Sequence, residues 1–303
     1  MSLRIVRLRQ ALCADRSQTV SGPDPSDWIR GSLPSGWRLL SFHFFVNWSA
    51  TPLRVGNRVW LTRLVQCEGT GHDYSQLEST LRNSMVWDEC DELRRALRRY
   101  GLRTEIVLLQ EMPLARVIDD TTAWVGTFDY AGTFKLGEMK LSELRAAIKR
   151  ESGGPVRVGS KGLIYGTSAI ECYLSRTDSA YPGDVDCVVV DDKDVVRCVI
   201  EYKKHTLPEA MGAHLINRYY PRPDGRKYQR LGALVRLFQE QDPNVAFVML
   251  YYSTKKPEAR LQHVSEFRAN EAMIVRDSGE LTYYDRDPEK IGAMIMAWVG
   301  CGI

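Results

Sequence analysis

Tyr181–His205 reads YPGDVDCVVVDDKDVVRCVIEYKKH. Two apolar, β-branched runs, Gly183–Val190 and Val195–Tyr202, flank four polar residues, Asp191–Asp194. That layout predicts a β-hairpin. Side chains alternate along a strand, so Asp184 and Asp186 share one face, as do Glu201 and Lys203. A symmetric turn over 191–194 pairs Asp184 with Glu201 and sets Asp186 opposite Val199. One sheet face then gathers three acids and a lysine. The other carries Val185, Cys187, Val189, Cys198, Ile200 and Tyr202, which suit a core. Asp191, Asp192 and Asp194 read as solvated turn residues with cross-strand ion pairs.

Carboxylates crowded on otherwise apolar strands repel one another unless a cation holds them. Oxygen ligands without His or Cys partners suit Mg²⁺ or Mn²⁺ rather than Zn²⁺. A lysine two residues from a ligand can orient a metal-bound water. Together these groups suit in-line hydrolysis of a phosphodiester.

Pro182–Gly183–Asp184–Val185–Asp186, followed by Glu201–Tyr202–Lys203 at the end of an apolar strand, resembles the PD-(D/E)XK nuclease superfamily. The resemblance covers about residues 160–255. It implies a restriction-endonuclease-like core, a mixed central sheet flanked by helices. It implies that Asp186, Glu201 and Lys203 are catalytic. Glu201 would bind Mg²⁺ or Mn²⁺ with Asp186, which matches the motif best, or with Asp184, which the hairpin geometry favours, helped by a glutamate from the preceding helix. Glu171 is the candidate for that glutamate, with Glu151 a weaker one. The helix after the ligand strand often faces the site in this superfamily, so Tyr228, Gln229 and Arg230 become substrate contacts, with Lys204. The implied activity is a metal-dependent endonuclease, acting on DNA rather than RNA. The alternative is an inactive nucleic-acid-binding or assembly protein that keeps the fold.

Around this segment, helix and strand signals alternate, giving an α/β (α+β) class. Tyr165–Leu174 reads as a short helix running into a strand. Arg226–Phe238 is an amphipathic helix with Leu231, Leu234, Val235 and Phe238 at helical spacing. Val245–Tyr252 is a buried strand and Leu281–Tyr284 a short one. Asp287–Pro288–Glu289 starts a last helix, with Asp as N-cap. Residues 214–225 (HLINRYYPRPDG) read as a loop. Arg218, Tyr219, Tyr220 and Arg222 there interleave basic and aromatic groups, which suits single-stranded or distorted nucleic acid.

Before it, Ser21–Gly36 reads as an irregular loop. Trp37–Val46, Arg58–Cys67 and Thr104–Gln110 read as strands. Ser84–Tyr100 is a helix stopping at Gly101, Ala123–Phe134 a hairpin around Tyr130–Gly132, and Lys140–Arg150 a helix. Arg94, Arg95, Arg98 and Arg99 form a basic helix face, but Asp88, Glu89, Asp91 and Glu92 should pair with much of it. Asp129 with Glu138–Met139–Lys140 also spells D…E-x-K, without an apolar strand leading in. Gly153–Gly154–Pro155 marks the expected boundary. It separates an N-terminal α+β domain (1–152), for substrate recognition or dimerisation, from the nuclease-like domain (153–303).

Composition is ordinary for a globular protein. The chain has 303 residues, 44% hydrophobic and 26% charged, with a net charge of +3. That balance argues against nucleic-acid binding by bulk charge, so phosphate contacts must be local. His43, His72 and His263 are isolated, and there is no GxGxxG, P-loop or G-x-S-x-G motif. Seven cysteines lack paired spacing, and the N-terminal residues are too charged for the apolar core of a signal peptide. The expectation is a reduced, cytoplasmic protein without membrane segments, partnered by nucleic acid, with a homodimer allowed.

Overall fold

In chain order the elements are β1 (Leu3–Val6), β2 (Ala11–Leu12), α1 (Pro25–Arg30), β3 (Arg38–Asn47), β4 (Arg54–Cys67), α2 (Leu77–Arg82), α3 (Met85–Arg98), β5 (Arg103–Gln110), β6 (Thr122–Phe128), β7 (Phe134–Lys140), α4 (Leu141–Glu151), β8 (Tyr165–Gly166) and α5 (Ala169–Leu174). They continue with β9 (Gly183–Val190), β10 (Val196–His205), α6 (Ile216–Tyr219), α7 (Gly225–Gln239), β11 (Ala246–Ser253), β12 (Ala259–Phe267), β13 (Ala272–Asp277) and α8 (Glu289–Trp298). The computed structural model describes all residues except 1, 2, 9, 10, 14–22, 68–73, 130, 131, 159–162, 164, 207, 209, 214 and 301–303. The tip of the hairpin around Tyr130, His72 and His214 therefore lie outside the described residues.

The class is α/β, with mixed sheets flanked by helices. The chain divides into two units: Met1–Gln18 with Phe42–Asp184, and Thr19–Ser41 with Val185–Ile303. In the first, β3 to β7 lie in sequence order, with β1 also on β4, and β4–β5 is the parallel pair. Its core joins Phe45, Trp60, Leu64, Val107 and Leu109 to Leu141, Leu144 and Ile148 of α4. The division does not fall at Gly153–Pro155. Those glycines, at φ +73° and +133°, end α4, and Gly154 N donates to Lys149 O at 2.9 Å. They form a helix cap, not a linker.

In the second unit β9 to β13 also lie in order. β9–β10 is antiparallel, β10–β11 parallel and β11–β12 antiparallel. The parallel step is bridged by α7, as a crossover requires. Its core collects Cys187, Val189, Cys198, Ile200, Val248 and Leu250 from the sheet, Trp28 and Ile29 from α1, and Ile291 and Ile295 from α8. The alternation predicted for the apolar hairpin face is therefore used.

The hairpin register differs from the symmetric one. Asp191 N donates to Val195 O (2.9 Å), Asp194 N donates to Asp191 O (3.2 Å), and Asp194 has φ +61°. The turn is thus the three-residue kind, closed by a left-handed residue. A second irregularity between Val196 and Cys198 shifts pairing again, so Val188 faces Val199 and Cys187 faces Ile200. Continued one residue beyond the last pair, this register sets Asp186, not Asp184, level with Glu201. Two one-residue shifts leave the paired residues, Cys187–Val190 and Val196–Ile200, on their expected faces but change their partners. Asp191 is also not a solvated turn residue. It is buried, accepts from Lys193 N (2.9 Å) and Val195 N (2.8 Å), and pairs with Arg197 Nη2 at 2.6 Å.

Other expectations change too. The Ser21–Gly36 stretch contains α1, capped by Asp24 accepting from Ser26 N at 2.9 Å. Leu281 makes only an isolated bridge to Ala259, where a strand over Leu281–Tyr284 was expected. α8 starts one residue later than its Asp-Pro signal, with Pro288 as N-cap. Cys13 and Cys172 form a disulfide, 159 residues apart in sequence, which spacing alone did not suggest. Among the described residues no helix is long and apolar enough to cross a membrane.

Candidate functional site

β10 is longer than expected and runs to His205, so Glu201 and Lys203 sit inside a strand flanked by β9 and β11. Glu201 is 0% exposed. A carboxylate at that depth needs a compensating cation. Lys227, in the first turn of α7, pairs with Glu201 Oε1. Lys203 pairs with Asp224, the N-cap of α7, and its Nζ lies 4.4 Å from the centre of the Tyr219 ring. Positions 224 and 227 share a helix face, and 201 and 203 share a strand face. Two ion pairs therefore join one helical turn to one strand.

Asp186, half-buried on β9, accepts a hydrogen bond from Tyr202 N at 2.8 Å. Its negative charge helps raise the pKa of Tyr202 and of Tyr252, although burial is the larger cause in both. Glu201 acts on a different pair. Tyr228 and Tyr251 titrate well above the usual phenol range, first through burial and then through nearby charges that include Glu201. Tyr251 pairs in register with Lys203 and so shares its face. The hydroxyls of Tyr228 and Tyr251 are buried without a hydrogen-bond partner among the described residues.

The remaining candidates are distributed unevenly. Asp184, the second residue of β9, has intermediate exposure and, with Glu171, belongs to the first unit. Glu171, on α5, accepts from Thr167 Oγ1 at 2.8 Å and from Thr167 N. Glu151 lines a cavity of about 190 Å³ in the first unit, with Arg58, Trp60 and Glu105, and lies 3.5 Å from Arg58 Nε. Tyr228 does not reach outward as a substrate contact. It is 0% exposed and stacks on Phe267 at 5.9 Å. Gln229 is exposed, because two residues turn a helix by about 200° from Lys227. Arg230 is half-buried. Lys204 alternates to the strand face opposite Lys203, and burial lowers its pKa.

Sequence reasoning passed over Asp224 and Lys227 as site residues. The signal lay in their i,i+3 spacing at the start of a helix that follows E-x-K. In the predicted loop, Tyr220 is buried and Tyr219 faces Lys203, while Arg218 and Arg222 are exposed. The D…E-x-K at Asp129–Lys140 lies on a hairpin with Glu138 exposed. On α3, Asp91 pairs with Arg94 at 2.7 Å and with Arg95, as expected.

The donor chemistry of Asp186 and Glu201 fits a hard divalent cation, since both supply carboxylate oxygens and Glu201 already demands positive charge. Among the described residues no three His, Cys, Asp or Glu side chains converge as a metal-binding group. The chain matches no protein-family model and no curated protein.

Proposed function

We propose that the second unit is a metal-dependent nuclease of the PD-(D/E)XK type, hydrolysing phosphodiester bonds in DNA. The observation that carries this reading is Glu201, fully buried two residues before Lys203 on β10, one strand away from Asp186. A buried acid beside a lysine is an unusual use of a central strand and calls for a chemical reason. The run α5, β9, β10, α7, β11, with its mixed strand directions, also supports it.

In this reading Asp186 and Glu201 would hold Mg²⁺ or Mn²⁺, which supplies Lewis-acid activation of water and phosphate when bound. Lys203 would then orient the attacking water, held in place by its neighbours Asp224 and Tyr219. Arg230, and the exposed Arg218 and Arg222, would meet the phosphate backbone. Substrate recognition by the first unit is part of the proposal.

The test is incubation with plasmid, linear and single-stranded DNA in Mg²⁺ or Mn²⁺. Cleavage is expected, and Lys203→Ala or Glu201→Ala should lower it by at least ~100-fold, the scale of a lost proton-transfer group. Cleavage that survives both changes, in variants with native circular dichroism, would sink the assignment. A second reading, an inactive nucleic-acid-binding or assembly protein, draws on the fact that Asp186, Glu201 and Lys203 all have internal partners. DNA binding that needs no metal and gives no cleavage would decide for it.

A further inference from the structure

We propose that Lys227 is a built-in counter-ion that occupies the cation position of Glu201 and must be displaced for a divalent metal to bind there. The inference rests on reading Glu201 as a metal ligand. It concerns how that site is controlled.

Three observations support it. First, the Lys227 ammonium is in direct contact with Glu201 Oε1, on a carboxylate that is otherwise enclosed. An ammonium and a divalent cation both answer the demand of a buried carboxylate for positive charge, so they compete for one position. Second, the Lys227 side chain is 35% exposed while that of Glu201 is 1% exposed. The lysine therefore has solvent to retreat into, and the glutamate does not. Third, Tyr228 follows Lys227 on α7 and Tyr251 pairs in register with Lys203 on the strand face of Glu201, and their buried hydroxyls have no hydrogen-bond partner among the described residues. Two donors thus stand ready to hydrogen-bond the carboxylate or a metal-bound water once the ammonium leaves. With Lys203 paired to Asp224, the same turn of α7 engages both halves of E-x-K. The first turn of α7 is in this sense a latch on β10, and a divalent cation is its key.

The experiment measures Mn²⁺ itself, by calorimetry and by the electron paramagnetic resonance of free Mn²⁺, on the full chain and on Lys227→Gln. Glutamine keeps a donor for Glu201 but not the charge. If the latch is closed in about nine molecules of ten, its removal tightens Mn²⁺ binding roughly tenfold. Glu201→Gln should abolish the binding in both backgrounds. A Lys227→Gln variant that folds and binds Mn²⁺ no tighter than the parent overturns the proposal. So does Mn²⁺ binding that persists in Glu201→Gln. A second measurement avoids the variant. Reductive methylation of the unaltered chain, read by peptide mass mapping, should modify Lys227 more when Mn²⁺ is present, and an unchanged extent overturns the latch. The two readings fail separately. DNA cleavage with no gain of Mn²⁺ affinity in Lys227→Gln removes the latch and leaves the nuclease. A gain of affinity without cleavage in either protein removes the nuclease and leaves the latch.

Discussion

Asp191 is the residue whose role the chain disguises best. Three acids in a four-residue polar turn look interchangeable, yet only Asp191 is folded inward to bind the backbone of Lys193 and Val195 and the guanidinium of Arg197. Burial works to raise its pKa, but these hydrogen bonds outweigh it and hold the carboxyl below its usual value. A depressed folded-state pKa stabilises the protein in full above the unfolded value, about 4, and the contribution is lost as pH falls through the folded value. Asp191→Ala should therefore lower unfolding free energy at neutral pH by about 1–3 kcal/mol, mostly from donors left without an acceptor. Urea titrations at a series of pH values check this. The gap between parent and variant should be constant above about pH 5 and shrink in acid. A pH-independent gap would show that the charge of Asp191 does not matter. At this scale the candidate site was half legible. Asp186, Glu201 and Lys203 stood out by type and spacing. Lys227 and Asp224 did not, because their meaning depends on α7 meeting β10.

α1 shows the same limit at the level of elements. Asp24–Pro25 is an N-cap followed by a proline at the first helical position, a start signal that sits inside a stretch rich in turn residues. Six residues of helix gain little stability alone. Their reason to form is packing: Trp28 stacks on Tyr284 at 4.8 Å and meets Tyr252 edge-on, and Ile29 is 0% exposed. Asp24→Ala should destabilise by about 1 kcal/mol, and Trp28→Ala by about 3–5 kcal/mol. Thermal unfolding would measure both, and neutral effects would mean that the segment behaves as the loop its composition suggests. The strands were easier to read where both faces are apolar, as in β11. β12 and β13 were harder: Gln262 is 0% exposed on β12, where it bonds Asp277 Oδ2 at 2.6 Å and interrupts the apolar alternation.

At the scale of the molecule, sequence order and spatial order part company. Each unit draws on two separate stretches of chain, and no change of composition marks the joins. The disulfide was illegible for the same reason, since its cysteines are brought together by β2, β8 and α5 rather than by spacing. A non-reducing peptide map should recover Cys13 linked to Cys172. Closing a loop this long restricts the unfolded chain, so reduction should lower stability by as much as ~5 kcal/mol in the chain-entropy account. An unchanged melting temperature after confirmed reduction would refute that.

The interleaving has a further consequence for biosynthesis. Domains tend to fold as they emerge from the ribosome. The first unit is complete once residue 184 is made, whereas α1 finds α8 only once residue 298 has been made. Until then Trp28 and Ile29 have no partner helix. The nascent chain must shelter this short apolar segment while the whole of the other unit is synthesised and folds. A fragment starting at residue 185 would carry the candidate site but lack the helix that covers part of its core.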